Sequence, residues 1–149
     1  MTLRERLNDD LKTAMRAKDS VRLSVIRAVK AGILAQETRS ERITLDDDGI
    51  LQVIVKEIKE RKEANEEFQR AGRSDLVEKN EKDIAILSEY LPTPLTETAL
   101  TELIVAAIQE TGAQGPKDMG KVMNLINPKI RGRADGRHVA ELVKAQLQV

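Results

Sequence analysis

The 149-residue chain carries 25 basic and 25 acidic residues, no cysteine and no tryptophan, and its only aromatics are Phe68 and Tyr90. Disulfides, thiolate metal sites and thiol catalysis are excluded, and no apolar run approaches the roughly 20 residues that a spanning helix needs. Its 45 large apolar side chains, nearly all Leu, Ile, Val or Met, suffice for an aliphatic core. With so few aromatics and few β-branched runs, that composition points to an all-α fold and away from a β-sandwich or barrel.

Thr2 with Glu5 reads as a capping box, and Leu3, Leu7, Leu11, Ala14 and Met15 recur at helical spacing, giving a first helix to about Ala17. Asp19 and Ser20 offer the next cap. A second helix follows to about Thr38, its apolar stripe formed by Ile26, Val29 and Ile33 with Leu23 and Leu34 at the flanks, opposite Arg22, Arg27 and Lys30. Residues 39–48 are polar, and Asp46, Asp47 and Asp48 place negative charge where a third helix begins, as the macrodipole favours. That helix, about Gly49 to Ala71, is expected to bury Leu51, Ile54, Val55, Ile58 and Phe68, with Lys56/Glu60, Lys59/Glu63 and Lys62/Glu66 paired one turn apart on its solvent face. Gly72 ends it, Ser74 caps a fourth helix marked by Leu76, Ile84, Leu87 and Leu91, and the two form a long helical hairpin.

Pro92 and Pro94 then stop the chain from continuing as helix. This divides it into a helical front domain, 1–91, and a small tail domain, 95–149. In the tail, Thr96 caps a helix carrying Leu100, Leu103, Ile104, Ala107 and Ile108 that ends at Gly112. A short second helix starts at Pro116, carries Met119, Val122, Met123 and Ile126, and is expected to close at Pro128, leaving 129–134 as a loop. Asp135 caps a third, with Val139, Leu142, Val143 and Leu147 as its buried stripe. There is no internal repeat and no low-complexity tract.

Nothing in these elements assembles an active site. The one histidine, His138, has no cysteine, serine or second histidine at a motif spacing, and reads as a surface residue in the first turn of a helix. Carboxylates lie in helical charge patterns with a basic residue within a turn, as on a solvated face. The glycines form no phosphate-binding loop. No catalytic residue, metal ligand or cofactor is therefore expected.

One stretch departs from the balanced background. Between Ala113 and His138, six basic residues (Lys117, Lys121, Lys129, Arg131, Arg133, Arg137) face two acids (Asp118, Asp135), a net +4 in a chain whose total is zero. Gly132 and Gly136 keep the backbone slim, and arginine forks bind phosphate bidentately. Lys121, Lys129, Arg131, Arg133 and Arg137 are thus the candidate phosphate contacts; a solvated basic loop whose glycines merely serve turns is the alternative. With almost no aromatics to stack bases, the nucleic acid expected is a folded RNA read by shape. A second basic face (Arg16, Lys18, Arg22, Arg27, Lys30) is interrupted by Asp9, Asp10 and Asp19.

Two blocks, Asp118-Met119-Gly120-Lys121-Val122-Met123 and Pro128-Lys129-Ile130-Arg131-Gly132-Arg133-Ala134-Asp135-Gly136-Arg137, resemble the tail signature of the YqeY family and of the B subunit of glutamine-dependent tRNA amidotransferase. Ala71-Gly72-Arg73-Ser74-Asp75-Leu76 and Ile86-Leu87-Ser88-Glu89-Tyr90-Leu91-Pro92 resemble the same family's helical domain and hinge, so the similarity spans essentially the whole chain. It departs at Asn124, where glycine is expected. The resemblance implies a tRNA-binding, amidotransferase-related appendage lacking the catalytic domain, to which a label of carbon-nitrogen ligase with glutamine as amide donor attaches by inheritance. The partners expected are tRNA or a similarly folded RNA and tRNA-charging or translation proteins, with no membrane, in the cytoplasm. A protein-interaction adaptor using helices 49–91 is the alternative.

Overall fold

The computed structural model describes residues 1–39 and 41–148; Ser40, in the polar 39–48 segment, and Val149, at the end of the expected tail domain, lie outside them. Seven α-helices and one 3-10 turn follow in order, and no strand occurs among the described residues: α1 (Leu3–Ala17), α2 (Ser20–Glu37), α3 (Asp47–Arg70), α4 (Ser74–Ser88), α5 (Glu97–Thr111), the turn Pro116–Asp118, α6 (Met119–Ile130) and α7 (Gly136–Leu147). The chain divides into two compact units, Met1–Leu91 and Pro92–Val149.

In the first unit, Thr2 and Glu5 form the reciprocal capping box that starts α1, Asp19 caps α2, and Asp46 caps α3 by accepting from the Gly49 amide at 2.9 Å. The core is Leu7, Val25, Ile26, Val29, Ile33, Ile50, Val53, Ile54, Ile58, Leu87 and Tyr90. Of the stripe expected on α3, Ile54 and Ile58 are buried in this core. Ile50 and Val53 join them, whereas Leu51, Val55 and Phe68 are half-covered, because Ile50, Ile54 and Ile58 recur every four residues and put one row into the shared core. Leu34 is 61 % exposed, since Val25, Ile26, Val29 and Ile33 already form the inward row of α2. Gly32 permits the close crossing of α2 and α3: a Cβ there would meet Val53 Cγ1 at 2.8 Å.

The α3–α4 hairpin turns at Gly72, whose φ of +69° suits glycine. Ser74 is the first residue of α4 and not its cap; Arg73 takes that place without a side-chain cap bond. Beyond Ile58 the two helices join through polar contacts. Arg61 donates to Glu57 (2.5 Å) and to Asp83 (3.3 Å), Asp83 being 5 % exposed, and Asn80 donates to Asn65 at 3.0 Å. On the solvent face Lys56–Glu60 and Lys59–Glu63 pair at 3.9 and 4.0 Å. At the end of α4, the buried Tyr90 hydroxyl donates to Asp10, Arg6 lies 4.5 Å above the Tyr90 ring, and Arg22 grips Glu89. Burial, then the bond to Asp10, push the phenol above its ordinary pKa, so it remains a neutral donor.

The second unit has its own core of Leu100, Ile104, Ala107, Val122, Ile126, Ile130, Val139, Val143 and Leu147. Thr96 caps α5 through the Ala99 amide (3.1 Å), Gly112 at φ +68° ends it, and Asp135 caps α7 through the Arg137 amide (3.1 Å). Pro128 does not close α6, which runs through it to Ile130. The missing proline amide removes one bond to the Asn124 carbonyl on an exposed face, and the burial of Ile130, 4 % exposed in register with Val122 and Ile126, offsets that loss.

Because the nine core residues of this unit come from α5, α6 and α7 alone, a fragment beginning at Pro92 is expected to remain helical near 5 °C. A random-coil circular dichroism spectrum from that fragment would show that the second unit does not fold without the first.

Candidate nucleic-acid interface

The five candidate cations sit on or around one helical corner of the second unit. Arg131 (φ −57°, ψ 120°) and Gly132 (φ +74°) are the central residues of a type II turn closed by the Arg133 amide on the Ile130 carbonyl at 2.8 Å. The second central position of such a turn needs positive φ, so Gly132 is required there. The turn separates Arg131 and Arg133, both half-exposed, and leads to Asp135 and the start of α7, where Arg137 is exposed.

Lys129 belongs to the last turn of α6 and is exposed; it is helical, where the sequence suggests a loop. Lys121, also exposed, is eight residues earlier on the same helix, about 12 Å along its axis, with its Nζ 3.9 Å from Asp118. The structure thus gathers Lys129, Arg131, Arg133 and Arg137 at the α6–α7 corner and places Lys121 towards the other end of α6.

Both acids in the stretch are used by main-chain donors. Asp118 accepts from the Gln114 amide (3.0 Å), a bond that with nearby Lys121 and Lys117 holds its carboxyl below the usual carboxylate range, and Asp135 serves as the α7 cap. His138 is in the first turn of α7, where its Nε2 lies 2.8 Å from Glu97 Oε1 at the start of α5. Gly120 and Gly136 have open space where a Cβ would stand. Internal packing therefore does not demand glycine at either place, and each leaves bare backbone beside a cation, Lys121 or Arg137.

Arg133 is held by the linker, a contact that residue spacing does not reveal. Its Nε donates to the Thr93 carbonyl at 2.9 Å, and its own carbonyl accepts from the Leu95 amide at 2.9 Å. In the first unit the second basic face is partly consumed: Arg22 is paired with Glu89 and Lys30 donates to Asn8, while Arg16, Lys18 and Arg27 are exposed. Among the described residues no cluster of histidines and acids is arranged to hold a metal ion, and no helix is long and apolar enough to cross a membrane.

A family model described as Yqey-like protein matches residues 4–147. The chain is 35% identical over 143 residues to "Altered inheritance of mitochondria protein 41, mitochondrial" of Pyrenophora tritici-repentis, covering 93% of this chain and 77% of that protein. It is 41% identical over 85 residues to the protein of the same name from Lachancea thermotolerans, covering 57% of this chain and 46% of the relative. It is also 31% identical over 109 residues to a glutamyl-tRNA(Gln) amidotransferase subunit of Sulfurisphaera tokodaii, a match over 70% of this chain but 17% of that relative.

Since the corner depends on positive φ at residue 132, Gly132→Ala should cost about 1–2 kcal/mol, read as a lower urea midpoint of the second unit. An unchanged midpoint would mean that the turn accommodates a Cβ.

Proposed function

The chain belongs to the Yqey-like family, and on that premise we propose that it is an amidotransferase-related, noncatalytic module that binds tRNA or a similarly folded RNA through the α6–α7 corner. The observation that carries this reading is the concentration of cations at that corner, with Lys129 and Arg137 exposed, Asp135 engaged by the Arg137 amide and Glu97 by His138. The Asp135 carboxylate already occupies the start of α7, so phosphate contact runs through the arginine side chains, which supply paired donors. The relationship to an amidotransferase subunit named for glutamyl-tRNA supports tRNA as the ligand class. The two fungal relatives named above carry mitochondrial names; for this chain, on its cysteine-free sequence, we assign the work to the cytoplasm, alongside tRNA-charging or translation proteins.

Carbon-nitrogen ligase activity with glutamine as amide donor is, on this reading, a label inherited from larger relatives. Releasing ammonia from glutamine takes an activated nucleophile with a base beside it. The sole histidine is bound to Glu97 on the surface, and the chain has no cysteine. Purified chain given glutamine, ATP, magnesium and glutamyl-tRNA or aspartyl-tRNA is therefore expected to form no amidated product. Turnover abolished by a single substitution in this chain would reinstate the ligase assignment.

Phosphate neutralisation makes binding salt dependent. If all five side chains each neutralise about one phosphate, log K falls against log salt with a slope of up to roughly 3.5–4.5, and loss of one arginine lowers it by about 1. Arg131→Ala with Arg133→Ala should weaken tRNA binding strongly at unchanged helix content, while Arg16→Ala with Arg27→Ala should have a smaller effect. Lysine at 131 and 133 should restore part of the affinity, because charge returns without the fork. A loop double variant that binds total tRNA like the parent, with the same salt slope, would make the corner a bystander and leave the α3–α4 hairpin as a protein-docking arm.

A further inference from the structure

The segment joining the two units is short and restrained. Leu91 packs on the first core and Leu95 on the second, leaving Pro92, Thr93 and Pro94 between them. Each proline has a restricted φ and disfavours helix in the residue before it, so the three-residue joint has few conformations open to it. The end of this joint is tied to residue 133 twice, through the side chain at Thr93 and through the main chain at Leu95. Residue 133 follows Gly132 in the type II turn, so its backbone position is set on that side as well.

We propose that the Pro92–Pro94 linker is a working part of the RNA site, holding the Arg133 guanidinium in the orientation that meets a phosphate and being locked in turn when the phosphate arrives. This rests on the RNA-binding reading above and assigns a regulatory element to the same site. An arginine side chain free in solution samples many rotamers, and fixing it on binding subtracts from affinity. With Nε already bound to the Thr93 carbonyl, part of that ordering precedes the ligand, and phosphate contact falls to the two Nη groups at the end of the fork. Thr93 contributes a carbonyl and no charge, so its effect is on geometry alone. Coupling of this kind is reciprocal: a ligand that holds Arg133 must also hold Thr93 and Leu95.

The experiment combines tRNA titrations over a range of salt with amide hydrogen exchange at Leu95 in the full chain. Saturating tRNA should slow Leu95 exchange in the parent, and in Arg133→Ala, where tRNA is held by the other cations, that protection should be lost. Pro94→Gly, which loosens the joint without touching a charge, should weaken tRNA binding roughly two- to tenfold, the range for ordering one long side chain. Its salt slope should be unchanged, because no phosphate contact disappears. In an Arg133→Ala background Pro94→Gly should have no further effect. Full affinity in Pro94→Gly, with Arg133→Ala still impaired, would overturn the linker's role and leave the RNA site standing. Parental affinity in both Arg131→Ala and Arg133→Ala would remove the RNA site and the linker's role with it.

Discussion

The burial of one side chain, Ile130, determines the form of the candidate site. Were α6 to stop at Pro128, the basic residues after it would lie in an irregular loop, 129–134, before Asp135. Ile130 instead sits in the second core at 4 % exposure, one turn beyond Ile126, and draws Pro128 and Lys129 into the helix. Proline inside a helix costs about 3 kcal/mol through the lost hydrogen bond and the ring clash, and burying the isoleucine contributes about 1.5–3 kcal/mol, so the core contact is of the size needed to carry the helix through the proline. What remains between α6 and α7 is a tight turn around Gly132, short enough to give each arginine a defined place and to put the Arg133 carbonyl within reach of Leu95.

A chain with no net charge can still present a basic surface because its charges are unevenly committed. In the first unit arginines are engaged at close range: Arg4 with Glu37, Arg22 with Glu89, Arg61 with Glu57 and Asp83, Arg73 with Asp75. The bond to Glu89 raises the pKa of Arg22, and the Leu45 amide, then Arg4, lower that of Glu37. At the α6–α7 corner Asp135 serves as a backbone acceptor and Glu97 is bonded to His138, and the cations outnumber them.

Helix starts were legible in the sequence because they are local chemistry: Thr2, Asp19, Asp46, Thr96 and Asp135 all cap the helices expected of them. Positions decided by tertiary packing were less so. On α3, Ile54 and Ile58 were legible, but Leu51, Val55 and Phe68 stood where Ile50 and Val53 are buried, since all are comparably apolar and only tertiary packing chooses between the rows. Pro128 reads locally as a stop, and only the core position of Ile130 reverses that. The basic corner was visible as a charge excess, but the hold of Thr93 on Arg133 runs through a carbonyl forty residues away, and a main-chain acceptor leaves no mark in residue identity.

The placement of the aromatics has a spectroscopic consequence. Tyr90 and Phe68 both belong to the first unit, and tryptophan is absent, so the second unit contains no phenyl, phenol or indole ring. Tyr90 is the only phenol in the molecule, shielded by Arg6 and bonded to Asp10. Near-ultraviolet dichroism and intrinsic fluorescence of this protein are therefore signals from the front unit alone, and the cationic corner, however it responds to a ligand, is optically silent. A tryptophan introduced on the exposed side of α7 would supply the missing reporter without displacing a native chromophore.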